Sequence, residues 1–167
     1  EAILKSDVLI FGPGSLYTSV IPNLLVEEIR EAILQSDAVK IYVCNVMTQP
    51  GETDGYGAFE HVRALVDHMG KQFLDYVIVN DQKITTEQLK QYYAEGSMPV
   101  TPDVEKIRKL GIIVVPASLI SKDDLVRHDP RKLARALIML IYRLRLFGKG
   151  VQFFDYIFMR HGLNTMD

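Results

Sequence analysis

The chain has 167 residues, 48% of them hydrophobic, and a net charge of −2, a size that suits one compact domain of roughly 100–200 residues. That balance excludes the basic footprint of a nucleic-acid binder, and the longest apolar run, "ALIMLIY", is far short of the roughly 20 residues a spanning helix needs. A single cysteine, Cys44, cannot staple the fold, so a reducing cytosol is the expected setting.

The opening "EAILKSD" reads as the last turns of a helix already under way, so we expect a C-terminal part of a longer protein. Four short, nearly continuous apolar runs follow: Val8–Phe11, Val39–Cys44, Tyr76–Val79 and Ile112–Val115. Such runs suit parallel strands covered on both faces. Between the first two lies "NLLVEEIREAILQSD", with Leu25, Ile29, Ala32 and Ile33 on one helical face and Asn23 as N-cap after Pro22. "AFEHVRALVDHMG" carries a stripe of Phe59, Val62, Val66 and Met69, with Gly70 as its stop. "TTEQLKQYYAEG" reads as a shorter helix capped by Thr85 or Thr86. "TPDVEKIRKLG" has Thr101 as cap, Pro102 at the first helical position and Gly111 at the end.

The last helix starts at Asp129 as cap and Pro130, with a buried stripe of Leu133, Leu137, Leu140, Ile141 and Leu144. Ile138, Met139 and Tyr142 widen that face, which suggests cover on two sides. "GKG" at 148–150 breaks it, and an aromatic tail follows. The alternation of strands and helices predicts an α/β fold: a mostly parallel sheet flanked by helices, Rossmann-like. We expect residues 1–147 to form this domain and 148–167 a tail. Its Phe153, Phe154, Ile157 and Phe158 suit core or dimer contact better than membrane contact, despite the basic flank of Arg143, Arg145, Lys149 and Arg160.

In such a sheet, ligands sit beyond the carboxyl ends of the strands. "GPGS" lies there, where Gly12, Pro13 and Gly14 bare the backbone and Ser15, Tyr17, Thr18 and Ser19 supply hydroxyls. A dinucleotide fingerprint fails, because Tyr17 holds the third glycine place and the second strand exits into Asn45 rather than an acid. A P-loop fails too, since no Gly-Lys-Ser/Thr follows. Glu27 and Glu28, in the first turn of the next helix, would repel a phosphate docked there. An anion would therefore be held by the loop itself, unless the loop is only a structural glycine turn. The second loop, "NVMTQPGETDGYG", adds Asn45, Thr48, Gln49, Glu52, Thr53 and Asp54 at the same sheet edge. Glu52 and Asp54 could act as acid and base, or hold Mg²⁺ with a nucleotide phosphate, though Asp54 could equally cap the next helix.

"GPGSLYTSVIPNLL" and "IYVCNVMTQPGETDGY", with "DHMG" and "VRHD", closely resemble the gluconeogenesis-factor (YvcK) family of the CofD-like superfamily. The resemblance covers roughly residues 1–145, as the C-terminal half of such a protein; the tail is not part of the pattern. It implies a CofD-like fold whose pocket lies between this half and one carrying a glycine-rich loop. It also implies a cytoplasmic regulator that binds a UDP-sugar such as UDP-N-acetylglucosamine, ties carbon supply to envelope-precursor synthesis and cell shape, and acts on a regulated protein not identifiable from the chain. The enzymatic cousins are 2-phospho-L-lactate transferases, from whose first loop "GPGSLY" departs.

The resemblance places Arg127 and His128 at the pocket, where the arginine's fork of donors suits a diphosphate. Tyr92 or Tyr93 could stack on a base, and Tyr93 is taken into the expected site. His61 and His68 are seven apart, the wrong spacing for a helical metal pair, so both are expected to be solvated. No catalytic Ser-His-Asp or Cys-His order is recognisable, and no metal or cofactor is expected beyond Mg²⁺ with a nucleotide. A transferase, a homo-oligomer and a protein-interaction domain remain alternatives.

Overall fold

The structure is a computed structural model that describes residues 1–121 and 126–147. In chain order it contains helix α1 (Ala2–Lys5), strand β1 (Val8–Phe11), a π-helical turn (Leu16–Val20), helices α2 (Ile21–Leu24) and α3 (Glu27–Gln35), strand β2 (Val39–Val43), helix α4 (Ala58–Met69), strand β3 (Tyr76–Asn80), helices α5 (Thr86–Ala94) and α6 (Val104–Arg108), strand β4 (Ile113–Ala117) and helix α7 (Pro130–Phe147).

The four strands form one all-parallel sheet in the order β1-β2-β3-β4. Successive side chains of a strand point to opposite faces, and β2 shows the consequence. Tyr42, with Cys44 just beyond the strand, faces a core shared with Leu24 of α2, Ile33 of α3, Val62 and Leu65 of α4 and Ile107 of α6. Val39, Ile41 and Val43 face the other layer, which α7 covers with Leu133, Ala136, Leu140 and Leu144. The central strands β2 and β3 are therefore covered on both faces, as the unbroken apolar runs predicted, while Ile10 of β1 and Ile113 of β4 stay exposed. A third cluster lies past the strand ends, where Val46, Met47, Ile120 and Val126 pack with Ile84, Leu89 and Tyr92.

Several local expectations change. Asn23 does not cap a helix; it lies inside α2, and its Nδ2 donates to Ser19 O at 2.7 Å. The long helix expected there is split at residues 25–26, so Leu25 is 65% exposed instead of joining the stripe. Thr101 and Pro102 do not start α6; Asp103, at φ 46°, precedes it. Asp129 does cap α7, with Oδ1 accepting from the N–H groups of Arg131 (2.8 Å) and Lys132 (3.1 Å). The Lys132 contact above all holds its carboxyl below the usual range. Ile138 and Tyr142 are exposed, so the described residues cover α7 on one side only. His68 is exposed as expected, but His61 is fully buried. The tail expected at 148–167 lies outside the described residues. Among the described residues no helix is long and apolar enough to cross a membrane.

Candidate functional site

The β1 exit is forced by its neighbours. Gly12 sits at φ +81°, and a Cβ there would lie 3.0 Å from Val43 O. Only glycine accepts both the backbone angle and the close approach to β2. The chain then passes a cis Gly12–Pro13 bond, and Ser15 caps the π-helical turn by accepting from Thr18 N at 3.2 Å.

The β2 exit is stitched from within. Thr48 N donates to Met98 O at 2.7 Å, and Thr48 Oγ1 accepts from Met98 N at 2.8 Å. Thr53 Oγ1 accepts from Gln49 N at 2.8 Å, while Asp54 Oδ2 accepts from Gly51 N at 2.7 Å. Thr48 and Thr53 are buried and Asp54 is exposed in its turn, well before α4 begins. Asp54 therefore caps the turn and not the helix.

The two exits meet. Ser15 Oγ donates to Glu52 Oε2 at 2.6 Å across 37 residues of sequence. Between and above them lies an open cavity of about 570 Å³, within the range of small-molecule sites. The first loop contributes Pro13, Gly14 and Ser15, and the second Asn45, Thr48, Gln49 and Glu52. Arg127 and His128 reach it from the segment before α7. Gln49 Oε1 is buried there without a hydrogen-bond partner. His128 Nε2 lies 3.2 Å from Cys44 O, which fixes that nitrogen as a donor. Burial disfavours the imidazolium and lowers the pKa of His128.

Other expected residues lie apart from this cavity. Gly12 and Ser19 line a second cavity of about 380 Å³, on the α2 and α3 side, to which Pro13 also contributes. Thr18 is exposed, its Oγ1 donating to Ser15 Oγ at 2.6 Å. Tyr17 packs edge-on to Tyr56 and His68, with its hydroxyl 2.9 Å from that of Tyr56. That bond, with burial, pushes the Tyr17 phenol up to about 12. Thr53 and Asp54 hold the second loop without lining the cavity, and Tyr93 is exposed outside it. Tyr92 lines the cavity in its place, together with Ser97 and Val126, which the sequence reading did not single out. Among the described residues Glu52 is the carboxylate that lines the cavity, and no group of three or more His, Cys, Asp or Glu that could hold a metal occurs.

Residues 1–120 match the family model described as 2-phospho-L-lactate transferase CofD. The gluconeogenesis factor of Bacillus subtilis is 44% identical over 142 residues, covering 84% of this chain and 45% of its own length. A Clostridium acetobutylicum homologue is 40% identical over 164 residues, 98% of this chain and 36% of its own. That alignment takes in most of residues 148–167, which we expected to fall outside the family pattern. A crystal structure of a UPF0052-family protein from Bacillus halodurans shares 45% identity and superposes with a TM-score of 0.79, over 82% of this chain and 44% of that one. The chain thus spans less than half the length of these relatives.

Proposed function

The chain belongs to the CofD family, on its gluconeogenesis-factor branch, and from that premise we propose that it forms part of the binding site of a nucleotide-sugar-responsive regulator. The ligand class is a UDP-sugar such as UDP-N-acetylglucosamine. The role is cytoplasmic and links carbon supply to envelope-precursor synthesis and cell shape through a regulated protein. One observation carries the reading: two successive strand exits, tied by Ser15 and Glu52, open on a single cavity that Arg127 and His128 also line. Bare main chain and a guanidinium offer donors to a diphosphate, and the half-buried ring of Tyr92 offers a flat face to a base.

Calorimetric titration of the intact protein with UDP-N-acetylglucosamine tests this. Binding should be saturable, and Arg127→Ala should weaken it by about 1.5–3 kcal/mol, the contribution of a hydrogen bond to a charged group. Absence of heat at millimolar ligand would sink the proposal. A transferase is the second reading, favoured by the name of the matching family model. It calls for turnover of a phospholactyl or nucleotidyl donor with Mg²⁺, lost in Glu52→Gln, because Glu52 and not Asp54 places a carboxylate at the cavity.

A further inference from the structure

The hydroxyls of the first loop were expected to serve a phosphate, and their hydrogen bonds argue otherwise. A serine hydroxyl has one proton and two lone pairs. The Ser15 proton goes to Glu52 Oε2 at 2.6 Å. Its lone pairs receive Thr18 N at 3.2 Å and Thr18 Oγ1 at 2.6 Å. Ser15 is saturated, and Thr18 spends its own proton on Ser15. What this wall shows the cavity is a carboxylate, and among the described residues no cation is paired with it. A phosphate placed against Glu52 would meet a like charge. A group rich in O–H or N–H donors would meet an acceptor.

The cavity's guanidinium, that of Arg127, lies elsewhere. His128 is bonded to Cys44 O just past the end of β2, and its segment bridges to Ile120 beyond β4. Arg127 precedes it. Ser15, with Glu52 tied to it, stands beyond the end of β1 at the sheet's edge. The cavity therefore has its carboxylate over the end of β1 and its guanidinium on the side of β2 and beyond.

We propose that Glu52 is the specificity-determining residue for the sugar: it accepts hydrogen bonds from the hydroxyl or acetamido N–H groups of the glycosyl unit, while the diphosphate lies toward Arg127 and His128. The assignment rests on the nucleotide-sugar reading and gives the ligand a direction in the cavity. It also supplies a repulsive element against the sugar-free nucleotide. UDP would turn its more highly charged terminal phosphate toward Glu52, in the place of the sugar.

The test is calorimetry of the intact protein with UDP and with UDP-N-acetylglucosamine, each in Mg²⁺ and in EDTA, for wild type, Glu52→Gln and Ser15→Ala. Wild type should prefer the sugar nucleotide by roughly tenfold or more, the equivalent of one hydrogen bond to a charged group. Glu52→Gln should weaken the sugar nucleotide, tighten UDP and bring the two affinities together. Ser15→Ala removes the tether but keeps the carboxylate, so it should preserve the preference even if both ligands bind less well. Three results would overturn the assignment: Glu52→Gln shifting both ligands alike, Ser15→Ala abolishing the preference as Glu52→Gln does, or a wild-type preference that vanishes in EDTA. Wild type binding neither ligand would remove the nucleotide-sugar reading itself, and this assignment with it.

Discussion

Asp103 stands where a side chain on residue 57 would have to go: a Cβ built on Gly57 would lie 1.9 Å from Asp103 Oδ2. The reason is the open end of α4, whose first N–H groups have no partner inside the helix. Thr101 O accepts from Ala58 N at 2.8 Å, and Asp103 Oδ2 approaches Phe59 N at 3.5 Å. Asp103 is held there at φ 46° with Lys106 Nζ 2.9 Å away. A distant segment thus closes the helix that ends the second cavity loop. Gly57→Ala should cost about 1–3 kcal/mol, the usual penalty for overpacking, in urea unfolding. The φ of Gly57 is −90°, open to alanine, so the clash alone carries the loss. Adding Asp103→Gly should recover part of it, leaving the pair clearly non-additive. Unchanged stability in Gly57→Ala would show that Asp103 does not dock there.

That contact also marks where sequence reading stopped. The strands were legible because β-branched apolar runs between turn residues have few other uses, and β1 begins and ends at the expected residues. The two exit loops were legible for the same reason, since glycine, proline and hydroxyls cluster just past those runs. Asn23 looked like a cap because Pro22 precedes it. The helix it was expected to cap starts only at Glu27, behind Val26 and with no side-chain cap; the capping side chain of this region is Ser15, on an earlier turn of π geometry that no periodicity announces. His61 looked solvated because its spacing from His68 does not suit a metal pair, which leaves the polar side of the helix for both. Its burial follows from Tyr56, whose ring packs edge-on at 5.6 Å, a contact made by the fold of the loop. The bond of Thr18 to Ser15 and the choice of Tyr92 over Tyr93 are likewise decided by partners distant in sequence or by the local turn, and neither is written in composition.

Cys44 should be chemically silent in the folded protein. It is buried at the end of β2, and burial pushes its thiol up to about 12. The thiolate is the reactive form, so at pH 8 almost none is present. A chromogenic disulfide reagent should find no thiol in the native chain and one per chain in urea, since the chain has one cysteine. Rapid native-state labelling would contradict this packing.

Acid should destabilise the fold through two histidines. His61 Nδ1 lies 2.8 Å from Gly57 O, while its Nε2 is buried with no hydrogen-bond partner. Burial lowers the pKa of His61, and of His128 as well. Below an ordinary histidine pKa of about 6.5 the unfolded chain takes up protons that the folded chain refuses. Stability is then full above that pH and falls as pH drops toward the folded values, by at most about 1.4 kcal/mol per pH unit for each histidine. Urea midpoints between pH 8 and 5.5 should be level at first and then decline. His61→Gln, which does not titrate, should flatten part of the decline. A midpoint that holds steady or rises on acidification would contradict the burial of these rings.

Tyr92 and Tyr93 are adjacent but face different surroundings, and ligand binding should separate them. Tyr92 packs with Met47, Ile120 and Val126, lines the cavity, and donates weakly to Val126 O at 3.5 Å. Tyr93 is 49% exposed outside the cavity. Stacking of a base on an aromatic ring contributes about 1–3 kcal/mol. Tyr92→Ala should therefore weaken UDP-N-acetylglucosamine binding by roughly fivefold to a hundredfold. Tyr92→Phe should keep most of the affinity, because the ring face and not the long hydroxyl contact carries the interaction. Tyr93→Ala should leave the affinity near wild type. Far-ultraviolet circular dichroism of the three variants would establish that α5, which carries both residues, is intact. If Tyr93→Ala proves the damaging change and Tyr92→Ala the silent one, the base does not lie on the wall that Tyr92 builds.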